Sequence, residues 1–181
     1  MKETDVLIPN SYYSVFKSSS TLYCQYESLK SNMQIVTIRP FHIYGPFESH
    51  SRLIPTLIRN MIHKKNIKLV SPKVSRDLIY IDDAIKFYVM VAKKKGLKGQ
   101  IFNLASGKKT TIKEIYNSLK SITNYKKVNK WRSMKNRYWD QTVWYGNVSY
   151  VKNKLNWKPM INLKKGLKKT VDWYKKFYNE K

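Results

Sequence analysis

Tyr12-Tyr13-Ser14-Val15-Phe16-Lys17 opens a stretch free of glycine and proline that runs to Met33, and Gln34-Ile35-Val36-Thr37-Ile38-Arg39-Pro40 follows without a break. The first part places Val15, Phe16, Leu22, Tyr23, Tyr26 and Leu29 roughly at helical spacing, which predicts one helix entered through an Asn10 or Ser11 cap. The second part is a β-branched run of the kind that fills buried strands, closed by Arg39-Pro40. A helix feeding straight into a buried strand is half of an α/β crossover unit, so an α/β fold is expected.

Working outward, Tyr44-Gly45-Pro46 reads as a turn, followed by an apolar-periodic helix over about 52–64. Short strands are expected at 67–70 and 78–81. Asp82-Asp83 then start a helix, their charges suited to the positive end of its dipole. A strand follows at 101–105. The next helix, 111–122, carries a capping-box pattern in Thr110 or Thr111 with Glu114. Residues 124–146 read as a long basic, aromatic loop, and two helices at 148–155 and 163–177 flank Trp157-Lys158-Pro159.

The chain has 181 residues, of which 42% are apolar, enough for one domain with a buried core and too apolar for disorder. It contains no apolar run of the roughly 18 residues a membrane helix needs, and its polar start predicts no secretory leader. One cysteine, Cys24, makes neither an internal disulfide nor a multi-cysteine metal site, which fits a reducing, cytoplasmic location. The net charge of +25 comes mostly from lysines scattered in pairs and triplets, with only six arginines. Scattered lysine reads as solvated faces, since base and bidentate phosphate recognition favours arginine. Nucleic acid is therefore not the expected partner.

The chemistry-bearing spacing is Tyr13 to Lys17. Four residues apart on a helix, the two side chains share a face, and an ammonium there stabilises a phenolate, which suits the tyrosine to general acid/base work. The pair alone arises readily by chance among 14 tyrosines. Four further landmarks follow in order: Arg39-Pro40-Phe41-His42-Ile43-Tyr44-Gly45-Pro46, Arg76-Asp77-Leu78-Ile79-Tyr80-Ile81-Asp82-Asp83-Ala84, Phe102-Asn103-Leu104-Ala105-Ser106-Gly107, and Leu155-Asn156-Trp157-Lys158-Pro159. Together they resemble the C-terminal half of the NAD-dependent epimerase/dehydratase family, the extended short-chain dehydrogenase/reductases that act on nucleotide sugars.

The resemblance implies a remnant of a doubly wound Rossmann-type domain over residues 1–44, followed by the smaller α/β sugar-nucleotide-binding domain over 45–181. It implies that Tyr13 exchanges a proton with a sugar hydroxyl, at C4, while Lys17 holds the nicotinamide ribose. Pro40 and Phe41 would lie by the carboxamide end of the cofactor, NAD or alternatively NADP. His42 falls where relatives present an asparagine to the substrate diphosphate, Arg76 would pair with that diphosphate, and Arg137 looks like a second arginine from the late loop. The expected substrate is a nucleotide sugar. Asp83 matches a family position that would cap the helix after it, a structural role. Without the family context, Arg76-Asp77 reads as a surface ion pair and His42 as a structural histidine.

The glycine-rich turn that meets the dinucleotide pyrophosphate in this family does not occur here, since all six glycines lie at or after Gly45. The expectation is a truncated enzyme that binds NAD poorly alone and works, if at all, with a separately encoded N-terminal half or as a homo-oligomer. Two other function classes stay open: a basic nucleic-acid-binding protein using Lys126 to Trp144, and a non-catalytic scaffold.

Overall fold

The computed structural model of the chain describes residues 1–134 and 142–179. Helix α1, Tyr12–Lys30, starts at a reciprocal cap: the Ser11 hydroxyl accepts from the Ser14 amide at 3.3 Å while Ser14 Oγ accepts the Ser11 amide at 2.9 Å. Its orientation departs from the sequence reading. Residues Ser14, Ser18, Thr21, Gln25 and Ser28, one face at helical spacing, turn toward the protein, whereas Val15, Phe16, Leu22, Tyr23, Tyr26 and Leu29 are exposed. Small side chains on the inner face let the helix backbone come close. A Cβ on Gly99 would already stand 3.2 Å from Ser28 Oγ.

Strand β1, Thr37–Pro40, begins later than the β-branched run because pairing starts where Thr37 N–H donates to Gln100 O. After the single residue Phe41, the chain continues as β2, His42–Tyr44. A turn leads to α2, Leu53–Ile62, and then to the two-residue β3, Ser75–Arg76, which the sequence did not announce. β4, Leu78–Tyr80, runs into α3, Ile81–Lys93. There follow β5, Ile101–Leu104, and β6, Thr110–Thr111, with α4, Ile112–Thr123, capped by the expected Thr111–Glu114 box. Helices α5, Ser149–Leu155, and α6, Leu163–Asn179, close the described structure.

β1 pairs in parallel with β5, from Thr37↔Ile101 to Pro40↔Leu104, and β2 in parallel with β4, from His42↔Leu78 to Tyr44↔Tyr80. β3 and β6 are antiparallel. The strand expected at 67–70 does not form a ladder. Its amides go to side chains instead, Ile67 N–H to Asn129 Oδ1 at 2.7 Å and Leu69 N–H to Ser133 Oγ at 3.0 Å, so part of the late loop takes the place of a partner strand.

Two apolar clusters fill the interior. One joins Ile58 of α2, Leu119 of α4, and Leu167, Val171 and Tyr174 of α6 to Leu78 and Tyr80. The other joins Ile79 to Phe87, Phe102, Leu104 and Val151, with Val36, Ile38, Ile43 and Trp157 against it. β4 feeds both clusters because successive strand residues point to opposite faces. Strand pairing and packing thus cross residue 44.

Asp83 does not cap α3 with its side chain. Its buried Oδ2 accepts the amides of Met160 and Ile161 at 3.0 and 2.8 Å, stitching the segment after Pro159 to the start of α3. Next to this stitch α6 crosses β2 at Gly166, where any Cβ would overlap the Tyr44 hydroxyl. The close crossing buries Tyr44, 2% exposed, and burial pushes its phenol pKa well above the ordinary 10.0, with Tyr80 and Asp83 adding to the rise.

Because the folded chain holds the Tyr44 proton after the unfolded chain has released it, the associated stability is present below about pH 10 and is lost as pH rises beyond it. Urea unfolding between about pH 9 and pH 11 should show Tyr44→Phe losing less stability than the parent protein. Equal slopes would remove Tyr44 as a source of the alkaline loss.

Candidate active site

Tyr13 and Lys17 sit one turn apart in the first half of α1. Lys17 Nζ lies 5.6 Å from the centroid of the Tyr13 ring, so the spacing read from sequence does bring ammonium and phenol together. Tyr13 is 72% exposed. Its hydroxyl is free to meet a ligand from the side of α1 that the described residues leave open.

The second group of residues gathers where the chain passes from β1 to β2. Phe41 N–H still donates to Leu104 O at 3.0 Å, on the β5 side, and His42 N–H donates to Asp77 O at 3.0 Å, on the β4 side. The partner changes within one peptide. This junction lies at the carboxyl ends of β1 and β5, the end at which open parallel sheets place ligands. Pro40 is exposed at the end of β1. The Phe41 ring lies 6.1 Å from that of Trp144 and closes over Gly146, whose missing Cβ would come within 2.8 Å of it. His42 Nε2 faces Glu48 Oε1 at 3.2 Å, while Glu48 Oε2 is buried with no hydrogen-bond partner. A carboxylate thus orients the ring from behind, an arrangement that no motif in the sequence announced.

Arg76, in β3, donates from Nη1 to its neighbour Ser75 O at 2.8 Å. The neighbouring Asp77 is no surface ion pair. It is fully buried, and its two oxygens accept the Ser106 amide at 2.7 Å, the Ser106 hydroxyl at 2.6 Å, the Gly107 amide at 3.0 Å and the Gly146 amide at 3.1 Å. One carboxylate holds the β3–β4 link, the turn after β5 and the segment before α5. Arg137 lies outside the described residues.

The N-terminal residues reach the same region. Glu3 Oε1 accepts the Asn103 amide at 3.0 Å and Glu3 O accepts from Arg39 Nη1 at 3.1 Å, while Asn103 Nδ2 donates to Met1 O at 3.1 Å. Burial pulls Arg39 below its usual pKa, partly offset by the nearby Glu3 carboxylate. Among the described residues no cluster of three or more His, Cys, Asp or Glu side chains could hold a metal ion, and no helix is long and apolar enough to cross a membrane.

A family model described as the NAD dependent epimerase/dehydratase family matches residues 1–105. The chain belongs to that family. Its fold is that of solved epimerases and dehydratases. The UDP-glucose 4-epimerase of Thermotoga maritima, solved with UDP-glucose, superposes with a TM-score of 0.91 at 24% identity, covering 98% of this chain and 58% of that one. The dTDP-glucose 4,6-dehydratase of Bacillus anthracis, in complex with NAD, gives a TM-score of 0.85 at 24% identity, covering 99% of this chain and 56% of that one. In sequence, a UDP-glucuronate 4-epimerase of Thermodesulfobacterium geofontis is 30% identical over 92% of this chain and 51% of its own length. The human dTDP-D-glucose 4,6-dehydratase is 24% identical over 96% of this chain and 51% of its length. This family member spans about half the length of the curated relatives it matches. No glycine-rich pyrophosphate turn occurs among these 181 residues.

Asp77→Ala would leave three amides and a hydroxyl without their acceptor. At about 1–3 kcal/mol for each buried donor left unpaired, the loss should total at least about 3 kcal/mol, read as a fall in urea midpoint. A midpoint within error of the parent would show that the carboxylate is not the tie described.

Proposed function

We propose that this chain carries the acid/base and sugar-binding portion of a nucleotide-sugar epimerase or dehydratase, and that the parent reaction oxidises C4 of a nucleoside-diphosphate hexose. The observation that carries this reading is the Tyr13–Lys17 pair on α1 in a chain of this family. Tyr13 Oη takes the proton of the C4 hydroxyl as that carbon loses hydride, and returns it when the hydroxyl is regenerated. NAD, when bound, would supply the hydride acceptor. Lys17 is assigned to the nicotinamide ribose, its ammonium standing 5.6 Å from the centroid of the Tyr13 ring.

Arg76 is assigned to the substrate diphosphate, a group that a planar, permanently charged guanidinium fits. His42, with its Nε2 turned to Glu48, is assigned to the same diphosphate, and Arg137 is assigned a second contact with it. Phe41 and the peptide after Pro40 form the wall against the nicotinamide end. The neighbours solved with UDP-glucose and with NAD support the ligand classes. We assign the Rossmann-type part to residues 1–44 and sugar binding to residues 45–181.

Calorimetry on the purified chain tests the reading. UDP-glucose should bind, Arg76→Ala should weaken it about 10- to 100-fold, and Tyr13→Phe should leave its affinity unchanged. NAD should bind poorly to the chain by itself. Micromolar NAD affinity for these 181 residues alone would refute the claim that its pyrophosphate cradle lies elsewhere, and equal UDP-glucose affinities for parent and Arg76→Ala would remove Arg76 from the substrate site.

A further inference from the structure

Lysines that the sequence scatters in pairs come together on α6. At about 100° per residue, Lys164, Lys165, Lys168, Lys169, Lys175 and Lys176 share an arc of about 140° on the helix, and all six are exposed. Asp172 is the only acidic residue from Leu163 to Asn179. It is taken by Lys168 at 3.0 Å, while Lys169 pairs with Asp82 of α3. Lys164, Lys165, Lys175 and Lys176 have no acidic partner among the described residues. The opposite face of the helix is spent on the core, where Leu167, Thr170, Val171 and Tyr174 are fully buried.

An aromatic shelf stands at the seam between the two faces. The Trp173 and Phe177 rings stack at 4.9 Å and 15°, and the Phe47 ring meets that of Trp173 edge-to-face at 4.9 Å. Phe47 is 81% exposed and holds a left-handed φ of 63°. A bulky residue adopts that backbone at a cost, and leaving its ring in water adds another. Such costs collect where a surface is used.

The chemistry of stripe and shelf selects the partner. No arginine occurs from Leu163 to Asn179, so the face offers compact point charges without the planar fork that reads bases and phosphates bidentately. The aromatic rings occupy one another's faces, which are the surfaces that nucleic-acid bases would need for stacking. A cluster of lysines with Trp and Phe beside it is the arrangement of helices that lie against anionic headgroups. Because the apolar side of α6 already belongs to the core, such a contact stays at headgroup level.

We propose that the lysine face of α6, with Phe47, Trp173 and Phe177 along its edge, docks on a bilayer surface rich in anionic phospholipid. The proposal stands independently of the nucleotide-sugar reading. Phe47 directly precedes Glu48, whose carboxylate faces His42, so the bilayer contact adjoins the candidate site.

The test is co-sedimentation of the whole protein with vesicles of phosphatidylcholine alone or mixed equally with phosphatidylglycerol. Binding to the anionic vesicles should exceed binding to the neutral ones at least about ten-fold and should fall as salt is raised. Reversing Lys164, Lys165, Lys175 and Lys176 to Glu should lower it at least about ten-fold, whereas the same charge change at Lys94, Lys95, Lys108 and Lys109 should lower it less than about three-fold. Phe47→Asn, which keeps a residue suited to positive φ, should weaken binding about three-fold or more. Each variant is measured below its own melting transition. Equal binding to the two vesicle compositions, or equal losses from the two sets of reversals, would overturn the proposal. So would tighter binding to a random single-stranded oligonucleotide than to the anionic vesicles, weakened by the same four reversals, which would give the face to nucleic acid. Unchanged binding of Phe47→Asn would remove the aromatic shelf from the contact.

Discussion

The buried carboxylate of Asp77 is the constraint around which the substrate side of the molecule is arranged. It accepts four hydrogen bonds from two segments that are distant in sequence, the Ser106-Gly107 turn and Gly146, while the Asp77 carbonyl receives the amide of His42. A buried polar side chain is tolerable only when its lone pairs are occupied in this way. The same tie sets the chain on either side of it. Arg76 directly precedes it, and Phe41 packs on Gly146 because the backbone there has been drawn in too close for a Cβ.

A second tie does comparable work at the other end. Asp83 receives the amides after Pro159, Gly166 lets α6 approach β2, and Tyr44 is enclosed between them. Lys169 of α6 pairs with Asp82 of α3 at 2.6 Å and lies 5.1 Å from the ring of Tyr80, which itself packs 5.5 Å from Tyr44 across β4 and β2. Buried acids from the β3–β4 link and from α3 thus hold the late segments onto the early strands.

The opposite side of the molecule follows another rule. α1 spends its polar face on the protein and its apolar face on solvent, and β1 pairs along one edge only among the described residues. Exposed apolar surface of this kind, beside a strand edge without a partner among the described residues, is uncommon on a closed surface. The Tyr13–Lys17 pair lies on this side. Its local geometry is set by one helical turn, whereas its chemical surroundings depend on what packs there.

Much was legible from the sequence because it is local. The span of α1, its Ser11 cap, the Thr111–Glu114 box and the juxtaposition of Tyr13 with Lys17 all follow from backbone period and neighbouring side chains. The order of the landmarks sufficed for the family and the α/β class. Tertiary structure alone decided which face of α1 is covered, why 67–70 pairs with side chains instead of a strand, that Asp77 is an internal tie and Asp83 a stitch to Met160, and that Glu48 stands behind His42. Each of these depends on groups between 6 and about 80 residues away coming within 3.5 Å, and periodicity carries no information about which distant amide a carboxylate will find once the core has closed.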